Sequence, residues 1–179
     1  MRESETFNLD PDRSVRYTNV LASVFGLDPG SYGALLIHAS DPALHAIARV
    51  ANNPAGGGAG TFGQAMPAVR ADDFTASGER RRLLFGTHDD DMRFNVGCVT
   101  IAEEGTVVNL EVFAADGTHL ASEILSLSGR GNDQVNRVFS GFGQVTGFVD
   151  YWSVLPSRVY CYGSLLDNVT SDPTTVPPF

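Results

Sequence analysis

The chain partly repeats itself, and the first copy is shorter than the second. The segment Asn19-Val-Leu-Ala-Ser-Val-Phe-Gly26 reappears as Asn136-Arg-Val-Phe-Ser-Gly-Phe-Gly143, and residues 32–53 then run parallel to residues 148–168. A repeat that cannot bury its apolar face alone buries it against a neighbouring copy. The repeat therefore predicts how the chain folds and does not predict its function. We predict the following organisation: an incomplete first repeat at 5–70, a polar connector at 71–81 and a complete second repeat at 82–179, packed together as one unit.

Strand patterns dominate the chain between its turn residues. Residues 107–113 alternate imperfectly between apolar and polar, and the Asp116-Gly117 pair after them is a signal for a two-residue hairpin that returns through 119–127. β-Branched and aromatic residues between Gly, Pro, Asn and Asp clusters suit a half-buried pleated surface. On this pattern we predict two further strands, 83–85 and 94–101, and two further hairpins, 32–39 with 44–50 and 148–154 with 159–166.

The matched segments near 19–26 and 136–143 are exceptions to the strand pattern. Each begins at an asparagine, ends at a glycine and carries apolar residues at helical spacing, so we predict short helical turns there. Short strands at intervals of roughly ten residues otherwise predict an all-β fold. The fold class that we expect is an antiparallel β-sandwich built from the two related repeats.

The acidic balance of the chain argues against partners that carry phosphate backbones. The net charge is −9, and all 12 basic residues are arginines. An acidic surface repels nucleic acid. No apolar run reaches the roughly 18 residues that span a bilayer, and the polar N-terminus has no apolar signal region. We therefore expect neither nucleic-acid binding nor membrane insertion, and the residues alone leave localisation open.

Four segments of the second repeat stand out as a set: Arg93-Phe-Asn-Val-Gly97, residues 107–117, Asn136-Arg-Val-Phe139 and residues 159–173. Together they resemble an Ig-like β-sandwich repeat found in secreted and surface proteins of bacteria, many of them without assigned activity. The resemblance covers about 82–179 and reaches 5–69 only through the internal match. It implies a non-enzymatic structural or adhesive module that is extracellular or on the cell surface.

The opening strands of the repeat are missing from the first copy. The first copy either completes its sheet from the second copy or leaves an edge that another chain pairs with, because unpaired strand edges invite partners. We therefore expect another protein chain as one possible partner.

Four aromatic residues of the predicted 148–166 hairpin suggest an alternative function. Alternation places Tyr151 and Trp152 on opposite faces of one strand, and Tyr160 and Tyr162 on the same face of the next. Exposed aromatic rings stack on sugar rings, so these residues are candidates for a carbohydrate-binding module with a surface glycan as its ligand. The other interpretation is that they pack in the core or on the sheet surface.

Acidic clusters and two cysteines complete the candidate sites. Asp89, Asp167 and Asp172 offer the oxygen ligands that Ca²⁺ prefers, although Asx turns explain both clusters more simply. Cys98 and Cys161 each lie in an apolar strand. They either form a disulfide, which would contribute about 4 kcal/mol by closing a long loop, or pack as two buried thiols. Calcium is the one cofactor that we consider.

No pattern of catalytic residues is recognisable. None of the four histidines is placed by a known motif beside a serine or cysteine nucleophile. We therefore predict that the chain is not an enzyme. A hydrolase would need a pocket in which His88 or His119 is hydrogen-bonded to a carboxylate.

The segment Gly58-Ala-Gly60-Thr-Phe-Gly63 has the glycine spacing of a dinucleotide-binding loop. That site also needs a strand before the loop and a helix after it. Pro54 precedes the glycines and residues 61–69 read as extended, so we predict a connection between strands instead.

Overall fold

Alternating apolar residues in the second half of the chain form long strands in the computed structural model, which describes residues 4–52 and 62–179. The strands are, in chain order, β1 (Ile47–Asn52), β2 (Phe62–Pro67), β3 (Arg81–His88), β4 (Met92–Thr100), β5 (Thr106–Ala114), β6 (His119–Leu127), β7 (Asn132–Val135), β8 (Val145–Ser153), β9 (Val159–Asp167) and β10 (Pro173–Val176). One sheet has the order β10-β9-β4-β7 and a second has the order β3-β8-β5-β6, while β1 pairs with β2. Neighbouring strands run antiparallel. The predicted all-β antiparallel sandwich is confirmed.

The core lies between the two four-stranded sheets. On β5 the buried residues Val108, Leu110 and Val112 alternate with outward-facing neighbours, as the period of two in a strand requires. The facing sheet contributes Phe94 and Val96 from β4, both fully buried. Removal of this apolar surface from water is the main force that holds the sheets together. Further core residues come from the other strands and from the turn after β7: Leu83, Leu125, Leu127, Val138, Phe139, Val149, Tyr151, Val159 and Val176.

Two of the three predicted hairpins are wrong. Strands β8 and β9 are consecutive but lie in different sheets, because the buried residues of both point into the shared core from opposite sides. Strand β1 pairs with β2 rather than with residues 32–39, which form no strand. The hairpin of β5 with β6 is confirmed, but its loop has four residues, 115–118, instead of two.

The two predicted helical turns have different outcomes. Near 19–26 the chain forms one helical turn, α1 (Val20–Ser23), directly after Asn19. Near 136–143 it forms a tight turn instead of a helix, in which the Ser140 N–H donates to the Arg137 carbonyl at 2.7 Å. Both segments lie outside the strands, as the sequence indicates.

Residues 1–35 and residues 36–179 form separate compact units. In the first unit none of the described side chains is fully buried. The second unit contains all ten strands. The predicted organisation into 5–70, 71–81 and 82–179 stays a prediction, as does the relationship between the matched segments. Of the glycine-rich pattern, residues 58–61 lie outside the described part of the chain.

The predicted polar connector at 71–81 is more ordered than its composition indicates. A 3₁₀ turn, Ala71–Asp73, precedes Phe74 and Thr75, both of which are buried. Thr75 exchanges two backbone hydrogen bonds with Val159, at 2.8 and 3.1 Å. A pair of buried residues between charged ones produces no periodic pattern, which is why the sequence did not reveal this contact.

Candidate binding surface

The four candidate aromatic residues do not share a surface. Tyr151 is fully buried, and its hydroxyl lies 2.9 Å from the Thr75 hydroxyl. Burial raises the pKa of Tyr151, while the hydrogen bond to Thr75 acts in the opposite direction. Trp152 lies on the outer face of β8, with the guanidinium carbon of Arg80 3.6 Å from its ring centroid. That cation covers one face of the indole, and the structure brings together only Tyr160 and Tyr162.

Tyr160 and Tyr162 lie on the outer face of β9. Tyr160 packs against Phe74, with 5.8 Å between ring centroids. Tyr162 lies across Gly97 of the neighbouring strand β4, where a Cβ atom would stand 2.5 Å from the tyrosine Cζ. Burial raises the pKa of both tyrosines. On the other side of Gly97 the register places Gln134 of β7, so an aromatic ring, a glycine and an amide form a row across three strands.

The predicted calcium ligands belong to two loops, and their carboxylates bind their own backbone. One oxygen of Asp89 accepts the N–H groups of Asp91 and Met92, at 2.9 and 2.6 Å. One oxygen of Asp167 accepts the N–H groups of Thr170 and Val169, at 2.7 and 2.8 Å. The bonds from Thr170, its backbone N–H above all, lower the pKa of Asp167. These are the Asx turns that were the alternative to a calcium site.

Asn168 joins the two loops. Its amide nitrogen donates to the carbonyl oxygens of Asp89 and Asp90, at 3.3 and 3.1 Å, and its amide oxygen accepts from Arg93 at 2.9 Å. Asp172 contributes its backbone, since its carbonyl accepts the N–H of Asp167 at 3.2 Å. Within residues 4–52 and 62–179, no group of three or more His, Cys, Asp or Glu side chains is arranged to hold a metal ion.

Cys98 and Cys161 form a disulfide, with 2.09 Å between the sulfur atoms. The two residues stand directly opposite each other on β4 and β9, the central strands of their sheet. Both are buried in the core between the sheets. The bond therefore cross-links the middle of the sheet rather than its margin.

One histidine meets a carboxylate, but not in the geometry of a hydrolase. On the exposed face of β5 and β6, the His119 Nε2 contacts the Glu111 carboxylate, and the Ser122 hydroxyl lies 3.3 Å from the same nitrogen. In a serine triad the acid and the serine bind different ring nitrogens, so that the imidazole relays a proton. Here the Ser122 hydroxyl also donates directly to the Glu111 carboxylate at 3.1 Å. Its proton is therefore directed at the carboxylate and not at the imidazole.

The other candidate histidine, His88, lies at the end of β3. Its Nδ1 is buried and has no hydrogen-bond partner among the described residues. The condition that we set for a hydrolase, a pocket with a histidine bound to a carboxylate, is therefore met by neither residue in the described part of the chain.

The two lateral sides of the sandwich differ in how they are covered. On one side, Arg82 of β3 exchanges two backbone hydrogen bonds with Phe179, at 3.0 and 2.9 Å. Strand β2 contacts the outer face of the other sheet: the Thr175 hydroxyl of β10 donates to the Ala65 carbonyl at 2.7 Å, and the Ser164 hydroxyl of β9 donates to the Gln64 side chain at 3.3 Å. On the other side lie β6 and the short β7, and no described strand pairs with their free edges.

Strand β6 is the long uncovered edge, with nine residues. Ile124 faces outward and is 67% exposed. Glu123 stands opposite the buried Leu110, so it shares the core-facing side of the sheet, yet it is exposed because it lies at the margin. No sequence pattern predicted that β6 is an edge strand. Polar residues on both sides of the strand could have indicated an edge: Ser122 and Ser126 lie on one side and Glu123 on the other. A central strand has no polar residues on its core-facing side.

Among the described residues, no helix is both long enough and apolar enough to cross a bilayer. Comparison of the chain with protein-family models, with curated proteins and with solved structures found no match.

Proposed function

We propose that this chain is a non-enzymatic, extracellular structural or adhesive β-sandwich module, and that it engages other chains through the free edge of β6. The disulfide of Cys98 with Cys161 supports an extracellular setting, because disulfides persist in oxidising compartments. The antiparallel sandwich is compatible with the Ig-like resemblance that the sequence carries.

The observation that carries the proposal is the unequal covering of the sheet edges. A free edge presents a row of unpaired N–H and C=O groups, and natural proteins cover such edges or use them to bind strands. Here the backbone of Phe179 bonds to Arg82 at the β3 edge, whereas no described backbone group bonds to the outer edge of the nine-residue β6. The edge at β3 is therefore hydrogen-bonded within the chain, and the edge at β6 is open to a partner strand.

Directions of the backbone groups in β6 follow from its neighbour β5. The Ala115 N–H donates to Thr146, just beyond β8, and the Ala114 N–H donates to Thr118, which leads into β6. Odd-numbered residues of β5 therefore bond to β8 and even-numbered ones to β6. In the β5–β6 register the even residues of β5 stand opposite odd residues of β6, such as Leu125. The even residues of β6, Ile124 among them, direct their N–H and C=O groups away from the sheet.

Ile124→Pro is therefore the variant that tests the proposal. Proline removes the outward N–H at residue 124 without removing a hydrogen bond to β5, and edge strands tolerate it. Ile124→Val is the matched control, because it keeps the N–H and the branched side chain. Near-ultraviolet circular dichroism and thermal melting establish that both variants fold.

The measurement is retention of the purified, bead-displayed protein on a panel of isolated bacterial envelope proteins and polysaccharides. We expect the wild type and Ile124→Val to bind the same members of the panel, and Ile124→Pro to bind them at least about tenfold more weakly. A folded Ile124→Pro that binds as well as the wild type, or a wild type that binds nothing in the panel, contradicts the proposal.

A carbohydrate-binding module is the second candidate, and the row of Tyr162, Gly97 and Gln134 favours it. A ring held flat across a glycine, beside an amide, offers a stacking face and hydrogen-bonding groups to a sugar. On a glycan array we expect Tyr162→Ala to lose binding and Trp152→Ala, on the other sheet, to keep it. A silent array, or equal loss in both variants, contradicts this function.

A further inference from the structure

The geometry points to a specific occupant of the free β6 edge: the segment of residues 32–39 of a second copy of this chain, added as an antiparallel strand. This inference rests on the proposed function, and it names the partner that the open edge accepts. We define residues 32–39 as the donor segment.

The donor segment has the composition of a strand but no strand partner. It contains Leu35, Leu36 and Ile37, which are 45%, 50% and 52% exposed. All eight of its residues are exposed, and its backbone groups form no hydrogen bond with the described residues. Three adjacent apolar side chains exposed to water are unfavourable, because removal of apolar surface from water stabilises a protein. The sequence predicts a strand here, and within the chain nothing described pairs with it.

Edge and donor match in length. The donor segment has eight residues without regular secondary structure, and β6 has nine. Along β6 the outward-directed backbone groups belong to Ser122, Ile124 and Ser126, by the alternation derived above. The N–H and C=O groups of these three residues are therefore free to pair with a strand of about this length.

One antiparallel register matches the side chains on both faces. With Ile37 of the donor opposite Ile124, Leu36 stands opposite Leu125, which is buried, and extends the core-facing side of the sheet. The same register places the His38 imidazole opposite the Glu123 carboxylate, where the ring can donate a hydrogen bond. A shift by one residue would separate His38 from Glu123 and move Leu36 to the outer face, so the pairing of His38 with Glu123 favours the first register.

Charge affects this association in a defined direction. Each copy carries a net charge of −9, so two copies repel at low ionic strength. Salt screens that repulsion over about 10 Å at 0.1 M. Because the contact itself is mainly apolar, the association becomes stronger as salt is added. The contact joins different surfaces of the two copies, so further copies can add in the same way.

Cysteine pairing between two variants tests the register. In the proposed pairing, positions 37 and 124 stand directly opposite each other, within the Cα separation that a disulfide bridges. Full-length Ile37→Cys and Ile124→Cys proteins are mixed and oxidised mildly, and Ile37→Cys is mixed with Val169→Cys as the matched control. Val169 is 85% exposed and lies in the turn after β9, a strand of the other sheet. We expect the first mixture to form at least about tenfold more mixed dimer than the control mixture. Equal yields overturn the inference.

Sedimentation velocity tests the association without added cysteines. We expect the wild-type sedimentation coefficient to rise with protein concentration and with salt, and Leu36→Glu to remove the rise. Tyr32→Glu is the matched control, because Tyr32 is 86% exposed and falls beyond the end of β6 in this register. A wild type that is monomeric at every concentration, or a Tyr32→Glu variant as defective as Leu36→Glu, overturns the inference.

Failure of the inference is distinguishable from failure of the proposed function. If the wild type is monomeric but Ile124→Pro still loses adhesion to the panel, the edge binds another chain and only the donor assignment is overturned. If the wild type associates and the panel is silent, the donor assignment is supported and the adhesive part of the proposed function is contradicted.

Discussion

Gly163 on β9 shows how closely individual residues of the core approach one another. A Cβ atom at this position would stand 2.2 Å from the Cζ of Phe94, which is fully buried. The phenyl ring occupies the space that any larger residue at 163 would need. The contact belongs to the core between the sheets, where side chains have little freedom to move aside.

We predict that Gly163→Ala destabilises the fold by about 1–3 kcal/mol, because the buried ring must leave its position. Gly33→Ala is the control, since a Cβ at Gly33 meets nothing within 4 Å and its backbone is not left-handed. Urea denaturation followed by tryptophan fluorescence measures both. A Gly163→Ala variant as stable as the control contradicts the packing described here.

Three tyrosines at buried or half-buried positions predict a loss of stability at alkaline pH. Burial raises the pKa of Tyr151, Tyr160 and Tyr162, so the folded state keeps protons that the unfolded chain releases near pH 10. The stabilisation is fully present below the unfolded pKa of about 10 and is lost as the pH rises through the higher folded pKa values. The chain contains no lysine and its two cysteines are bonded, so few other groups titrate in that range.

We therefore expect the urea midpoint to hold steady between pH 7 and 9 and to fall above about pH 10. Tyr151→Phe removes one of the three groups, so its midpoint falls less steeply over the same interval. Spectrophotometric titration of tyrosinate at 295 nm, compared between folded and unfolded protein, reports the ionisation directly. An alkaline slope equal in Tyr151→Phe and wild type is the result that contradicts this assignment.

At the scale of elements, the sequence predicted strands better than their partners. The hairpin of β5 with β6 was predictable because Asp116-Gly117 is a local turn signal. The transition from β8 to β9 gives a similar pattern, two strands around a short loop, although the chain crosses between sheets there. Periodicity reports which face of a strand is buried and carries no information about which strand lies beside it. The same limit left the Cys98–Cys161 disulfide open, because its formation depends on strand order.

A single side-chain amide links the two loops that carry the acidic clusters. Asn168 connects the turn before β4 with the turn after β9 through its amide. The sequence identified the acidic residues of both loops but not the asparagine between them. An isolated asparagine has no spacing signal, whereas repeated acidic residues do.

We predict that Asn168→Ala destabilises the fold by about 1–2 kcal/mol, because two carbonyl oxygens and Arg93 lose a hydrogen-bonding partner. Val169→Ala, at the neighbouring and largely exposed position, changes the free energy of unfolding by less than about 0.5 kcal/mol. Chemical denaturation measures both variants. Equal stability of the two would show that the loops do not depend on the asparagine.

For the whole molecule, the disulfide ties together distant parts of the second unit. Cys98 and Cys161 are separated by 63 positions in the sequence. Closing a loop of this length lowers the entropy of the unfolded chain, which corresponds to about 4 kcal/mol of stability at 25 °C on the chain-entropy account. The sandwich itself was predictable from strand spacing, but the division at residues 35 and 36 was not, because apolar residues read alike whether they are buried or exposed.

We predict that the double variant Cys98→Ala, Cys161→Ala folds with a free energy of unfolding lower by about 4 kcal/mol than that of the oxidised wild type. The control is wild-type protein treated with a thiol-alkylating reagent without reductant, which we expect to gain no mass and to keep its stability. A double variant as stable as the wild type, or alkylation of the untreated wild type, contradicts the disulfide.

Amide hydrogen exchange, resolved by residue with NMR, tests most directly whether β6 is an open edge that a second copy fills. In dilute protein we predict rapid exchange at Ser122, Ile124 and Ser126, and slow exchange at Glu123 and Leu125, whose N–H groups face β5. In concentrated protein at high salt we predict protection of those three edge amides together with the amides of Leu35, Ile37 and Ala39, which stand opposite them in the proposed register. Exchange at the edge that is already slow in dilute protein, or that is unchanged by concentration, would contradict the account.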